Sequence, residues 1–330
     1  MLFVANQYPR AMLCLFTIAF CLFAIKKISE FDERKKDALV TSVMVLFVIQ
    51  SVMVFLQMNN IDPIFNSTMN PLVDDTVGLS GSHNQVGLFF ADTLPFILFM
   101  FPVGSVLSIT GLFCSTTTSA MVGGAAGALF MAWFVNKRAF IGSLISLLFV
   151  FIVFINKFEN INKAVIDERY NLAKHSVNAV LKENLFIIKD GQASIVKCNK
   201  WVGYGLGNFI RISPHGQSVF LVKQHDPNSS PRHRYEHVHN DIIEVFFELG
   251  IVGVLSVLLV FIELVYKFIK ARKTPFLIMI TACLVAHVVT SMGIYTVHTA
   301  VSGMMLVVFL GLFYREVNNA TKKQGIAQMV

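Results

Sequence analysis

The chain has 330 residues, 55% of them apolar and 14% charged, with a mean hydropathy of +0.64 and a formal net charge of +7. This composition excludes a soluble globular protein. It also excludes nucleic-acid binding as the reason for the charge, because Lys and Arg collect in short segments between apolar runs. Several of those runs reach the roughly 17–25 residues needed to cross a hydrocarbon core of about 30 Å, so the sequence reads as a polytopic membrane protein.

In chain order the first two spans are predicted at about 11–25 and 38–57. With Arg10 before it and Lys26-Lys27 after it, the first reads as a retained span and not as a cleaved signal peptide. The segment between the two spans, "KKISEFDERKKD" (26–37), is basic and belongs inside by the positive-inside rule. Segment 59–85 carries Asp62, Asp74 and Asp75 but no Lys or Arg, and belongs outside. "NKR" (136–138) reads as inside, so an odd number of crossings must lie between Asn84 and Val135. Three short helices at about 84–100, 103–116 and 119–135 satisfy this, broken near Pro102 and at "STTTS" (115–119); one crossing with a re-entrant piece is the alternative. A span at 139–156 then leads outside again, and spans at 240–266, 276–295 and 298–315 follow. "KFIKARKTP" (267–275) and the C-terminal Arg315, Lys322 and Lys323 lie inside. The expected fold is thus an all-α integral membrane protein of about nine transmembrane helices. It divides into an N-terminal membrane bundle (1–156), one large extracytoplasmic loop (157–238) and a C-terminal three-helix segment (239–330). Cys14, Cys21, Cys114 and Cys283 fall in apolar runs, which leaves Cys198 alone in the loop and no disulfide framework.

The loop holds twelve Lys/Arg and seven Asp/Glu, a basic charge that long loops carry without contradicting an external location. Within it, Ile166, Tyr170, Ala173, Val177 and Leu181 recur at helical spacing, with Arg169 near the helix start. "GYGLGN" (203–208) reads as a tight turn; it lacks the strand-then-helix context of a nucleotide fingerprint.

Three constellations carry chemistry. The first is "RHRYEHVHNDIIEVFFELGIVG" (232–253), where Asn240 is an N-cap and Asp241 and Glu244 sit in the first helical turn, favoured there by the helix dipole. Glu248 lies about two turns in, where an ionisable group marks a functional site by default. His237, Asp241, Glu244 and Glu248 share one face if the helix extends back that far, His239 precedes the cap, and Gly250 and Gly253 leave room for a neighbouring helix. The second is the set of external arginines, Arg169, Arg211, Arg232 and Arg234, whose guanidinium forks suit phosphate. The third is "GLSGSHNQVGLFFADTLPF" (78–96). It sets His83 and Asn84 at the external mouth of a helix and Asp92 two turns inside, near the kinking Pro95, as a candidate donor or acceptor pocket together with Glu248. His233, His237 and His239 have no Cys partner and have arginines between them, so no metal site is expected.

His239-Asn240, nine residues, Gly250, two residues, Gly253 resembles the signature of the O-antigen ligase family, whose superfamily includes O-antigen polymerases and protein O-oligosaccharyltransferases. "ERYNLAKHSVNAVLKENLF" (168–186) is similar to that family's Arg-led loop helix, "GYGLGNF" (203–209) to its glycine turn, and "GSHNQVGLFFADTLPF" (81–96) to its upstream Asn-containing helix start. The resemblance runs from about Gly78 onward. Ser119-Ala120 stands where many members carry an Arg after a Thr/Ser pair, and Ala173 where an aromatic is common.

The resemblance implies a GT-C-like fold and transfer of a glycan from an undecaprenyl diphosphate carrier to a hydroxyl acceptor such as lipid A-core. The setting would be the periplasmic face of the bacterial inner membrane, with no metal or other cofactor and no nucleic-acid partner. His239 would be the general base, oriented with its acceptor by Asn240 and Glu244, and Arg169, Arg232 and Arg234 would hold the diphosphate. A polymerase or a protein O-oligosaccharyltransferase is the alternative within the class. A transporter or flippase using Asp92, Glu244, Glu248 and His287 as a relay is the alternative outside it, though no repeated halves support that reading.

Overall fold

The computed structural model describes residues 8–59, 61, 79, 82–115, 117–135, 163–189, 192–209, 212, 237–294, 296 and 299–327. The expected span at 139–156, most of segment 59–85, and Arg211, Arg232 and Arg234 lie outside the described residues, as does the side chain of His83.

The described helices are α1 (Tyr8–Ser29), α2 (Glu33–Met58), α3 (His83–Met100), α4 (Ser105–Cys114), α5 (Thr118–Val135), α6 (Lys163–Leu181), α7 (Asp241–Lys270), α8 (Pro275–Ser291) and α9 (Ala300–Ala327). One hairpin, β1 (Asn184–Lys189) with β2 (Gln192–Lys197), pairs antiparallel from Asn184↔Lys197 to Lys189↔Gln192. Among the described residues five helices are long and apolar enough to cross a membrane: α1, α2, α5, α7 and α9. The stretch 84–135 does form three helices, but α4 has ten residues. At 1.5 Å per residue it spans about 15 Å, half a hydrocarbon core, and a 3₁₀ turn at Pro102–Gly104 precedes it.

The chain folds as two compact units, residues 1–20 with 155–266, and residues 21–154 with 267–330. In the second unit α5 packs along α8, and α3 packs against both. The close approach of α5 and α8 follows from small residues. A methyl group on Gly127 would lie 2.6 Å from the Ala282 carbonyl oxygen, and one on Gly123 the same distance from that of Ala286. At one end of this unit Arg315, 2% exposed, donates to the Phe31 carbonyl at 2.8 Å and pairs with Glu33 at 2.7 Å. There too Lys36 lies 5.2 Å from the Phe276 ring centroid. Three of the four basic segments assigned to the inside, 26–37, 267–275 and the C-terminal one at Arg315, therefore gather at one end of the bundle, and 136–138 lies outside the described residues.

In the first unit the hairpin, α6 and the start of α7 close over an apolar core of Ala179, Val180, Leu185, Tyr204, Phe209 and Phe247. Tyr204 stacks on Phe247 with ring centroids 4.6 Å apart. Its hydroxyl donates to the Ala179 carbonyl at 3.1 Å, which satisfies the polar tip of a buried ring.

Candidate functional site

The site is built on a break in α7. Gly250 has φ 63° and ψ −155°, a region open only to glycine, and the helix is interrupted there. The break frees two carbonyls and two N–H groups; the glycine turn satisfies the carbonyls, and Lys200 and Trp201 just before it satisfy the N–H groups. Tyr204 N–H and Gly205 N–H donate to the Phe247 and Glu248 carbonyls at 2.9 and 2.8 Å. Ile251 N–H and Val252 N–H donate to the Lys200 and Trp201 carbonyls at 3.0 and 3.1 Å. Gly203, Gly205 and Gly207 all take positive φ, which lets the turn fold flat against the helix. A methyl group on Gly203 would lie 2.6 Å from the Glu248 carbonyl carbon. The room expected at Gly250 for a neighbouring helix is thus filled by a loop backbone.

Glu248 has a role that no cap supplies. It is 5% exposed, and its Oε1 accepts the Phe209 N–H at 3.0 Å, clamping the far end of the glycine turn. Glu244, 1% exposed, accepts from Val238 N–H at 3.4 Å and stands 2.9 Å from His237 Nδ1. The helix starts at Asp241, so His237 reaches Glu244 from the loop and not from the shared helical face expected. Asn240 caps the helix as expected, its Oδ1 accepting the Ile243 N–H at 3.0 Å.

His239 is held between these anchors at φ 59°, a left-handed conformation uncommon outside glycine. Burial pulls its imidazole pKa down to about 4, with the positive charge of Arg169 and then that of His237 acting the same way and Glu244 opposing them. At neutral pH the ring is therefore neutral. The exposed Arg169, on α6, is close enough for its charge to be felt at His239. Burial likewise lowers the pKa of His175, two turns further along α6, and raises that of the Tyr204 hydroxyl.

The structure thus brings together His239, Asn240, Glu244, Glu248 and Arg169 in one unit, while the third constellation belongs to the other. There Asp92, fully buried, stands 3.0 Å from His287 Nδ1 and accepts from the Ser302 hydroxyl at 2.7 Å; His287 Nε2 faces Thr296 Oγ1 at 3.1 Å. Asn84 Oδ1 accepts from Thr117 Oγ1 at 3.2 Å.

The sequence model of the family described as O-antigen ligase matches residues 103–258, just under half the chain and inclusive of the whole His239 site. Residues 103–258 carry an O-antigen ligase family domain. No curated protein matches the chain. The family is one of ligase- and polymerase-type membrane glycosyltransferases, and the five long apolar helices fit that setting. In this O-antigen ligase family domain the glycine turn and the helix that follows His239-Asn240 are one hydrogen-bonded structure, so the spacing from Asn240 to Gly250 fixes where the turn docks relative to the imidazole.

Proposed function

We propose that this domain transfers a glycan from an undecaprenyl diphosphate carrier to a hydroxyl acceptor, lipid A-core, at the periplasmic face of the bacterial inner membrane, without a metal. The observation that carries the reading is a neutral, backbone-constrained His239 beside the exposed Arg169 at the mouth of an apolar helix. A prenyl donor keeps its tail in lipid and its sugars in water, so its diphosphate lies at that level. The acceptor hydroxyl attacks the anomeric carbon while His239 takes its proton, and the bond from that carbon to the diphosphate oxygen breaks. The lipid diphosphate leaves with its charge held by Arg169, joined by Arg232 and Arg234, which precede His239 by seven and five residues in the sequence. The proton passes from His239 to water. A base of pKa about 4 is weak, and burial is the main reason. Once the diphosphate neutralises Arg169, the part of the depression due to that charge is relieved and the basicity of His239 rises in the loaded site.

The test uses purified protein in vesicles with glycan on undecaprenyl diphosphate and lipid A-core as acceptor. His239→Ala lowers the rate of transfer by about 10²–10⁴-fold, the range of a lost general base, and EDTA leaves the wild-type rate unchanged. A His239→Ala protein as fast as wild type removes His239 from the chemistry. Transfer only onto a second lipid-linked repeat unit makes the enzyme a polymerase.

A further inference from the structure

Trp201 and Val202 stand at the tip of the loop between the hairpin and the glycine turn, 52% and 57% exposed. Burial in the protein does not explain this apolar pair, and the core of the unit leaves it out. Its location is fixed by backbone bonds, since the Lys200 and Trp201 carbonyls accept the N–H groups of Ile251 and Val252 at the break in α7. That break divides α7 by chemistry. Before it stand Asp241, Glu244 and Glu248; after it no charged residue occurs until Glu263, and Val252, Leu255 and every residue from Val257 to Ile262 are exposed apolar side chains. The uncharged run 251–262 rises about 18 Å at 1.5 Å per residue and exposes its apolar side chains, which belong in lipid, so the Gly250 level lies near the boundary between hydrocarbon and water. Trp201 sits at that boundary, where amphipathic aromatic rings collect in membrane proteins. Around it Lys182, Lys197 and Lys200 are exposed, and Glu183 uses its carboxylate to accept the Lys200 N–H at 3.4 Å.

We propose that the Lys200-Trp201-Val202 turn, with Lys182 and Lys197, is an interfacial anchor that docks on the anionic headgroup layer of the bilayer, the indole lying at the level of the glycerol and upper acyl groups. This goes beyond glycan transfer and stands or falls without it. Because the turn is bonded to the same helix break that carries the glycine turn and Glu248, the anchor fixes the depth at which His239 meets a lipid-borne substrate.

The sequence has two tryptophans, Trp133 and Trp201. Trp133→Phe in the full chain leaves Trp201 as the sole fluorophore, and Trp133→Tyr serves if the first variant does not insert. The protein is placed in phosphatidylcholine vesicles containing phosphatidylglycerol, with bromines either high or low on the acyl chains. The expected result is quenching by the shallow bromines about twofold or more above that by the deep ones, with weak quenching by aqueous acrylamide. Replacing Lys182, Lys197 and Lys200 together by Gln should lower the shallow quenching, and so should omitting the phosphatidylglycerol. Strong acrylamide quenching with no effect of either bromolipid overturns the proposal by placing the turn in water. Deep quenching above shallow overturns it by placing Trp201 in the hydrocarbon core. Shallow quenching indifferent to the lysines and to anionic lipid overturns the headgroup docking.

Discussion

At the scale of single residues, His239 links the site to pH. Its folded pKa of about 4 lies below the ordinary value of 6.5, so between those limits the unfolded chain binds the extra proton. The contribution of His239 to stability is therefore complete above about pH 6.5 and declines as pH falls toward 4. It amounts to at most about 3–4 kcal/mol at one pKa unit per 1.4 kcal/mol. Melting temperatures recorded from pH 8 to pH 4 should fall for the wild type, and this acid-side fall should be shallower in His239→Ala. Arg169 contributes to the same depression, so Arg169→Gln should move the acid limb of kcat/KM to higher pH while raising the KM for the diphosphate donor. A limb that stays in place would show that the Arg169 charge does not reach the imidazole. Glu248 makes a separate, structural prediction. Glu248→Leu leaves the buried Phe209 N–H without its acceptor and should cost about 1–3 kcal/mol, whereas Glu248→Gln keeps a carbonyl there and should cost less. Equal melting temperatures for the two variants would contradict the clamp.

At the scale of elements, the junction of α7 with the glycine turn depends on one backbone conformation. Gly250→Ala puts a side chain where φ and ψ forbid one and drives its methyl group into the Lys200 carbonyl, so the four crossed backbone bonds cannot all survive. The expected loss is about 3 kcal/mol or more, seen as a large drop in melting temperature and as proteolysis near residue 200. A variant with wild-type stability would mean that the break in α7 is not what holds the turn. Hydropathy made the apolar helices legible because lipid demands long uninterrupted runs, and the Asn240 cap was legible from local rules. The β1–β2 hairpin was not expected, although Asp190-Gly191 between two apolar runs is a hairpin signal. The break at Gly250 was hidden for a physical reason. A glycine inside an apolar helix reads the same whether a helix or a loop approaches it, and only partners some fifty residues away decide which. A separation of 39 residues likewise hid the role of Glu248, whose partner is the Phe209 backbone and leaves no side-chain signature.

At the scale of the whole molecule, each of the two units buries ionisable groups in its own way. The His239 unit keeps them at the edge of the apolar helix, tied to backbone. The bundle of α2 to α5 with α8 and α9 takes Asp92 and His287 fully inside, bridged by Ser302 and Thr296 from beyond α8. Desolvating this cluster is expensive, and only the mutual contacts of its members offset the cost. Asp92, His287 and Ser302 come from α3, α8 and α9, so the cluster also fixes α3 against two helices whose residues lie 195 and 210 positions further along the chain. Asp92→Leu removes the carboxylate that both His287 and Ser302 contact and should destabilise the bundle by about 3–5 kcal/mol. Pairing it with His287→Leu removes the other costly group as well, so the double variant should melt closer to wild type than the sum of the two single losses requires. Thermal melts of the four proteins in one detergent close this cycle. Strict additivity would mean that Asp92 and His287 are stabilised separately, by the hydroxyls of Ser302 and Thr296, and that the 3.0 Å contact between them contributes nothing to holding the helices together.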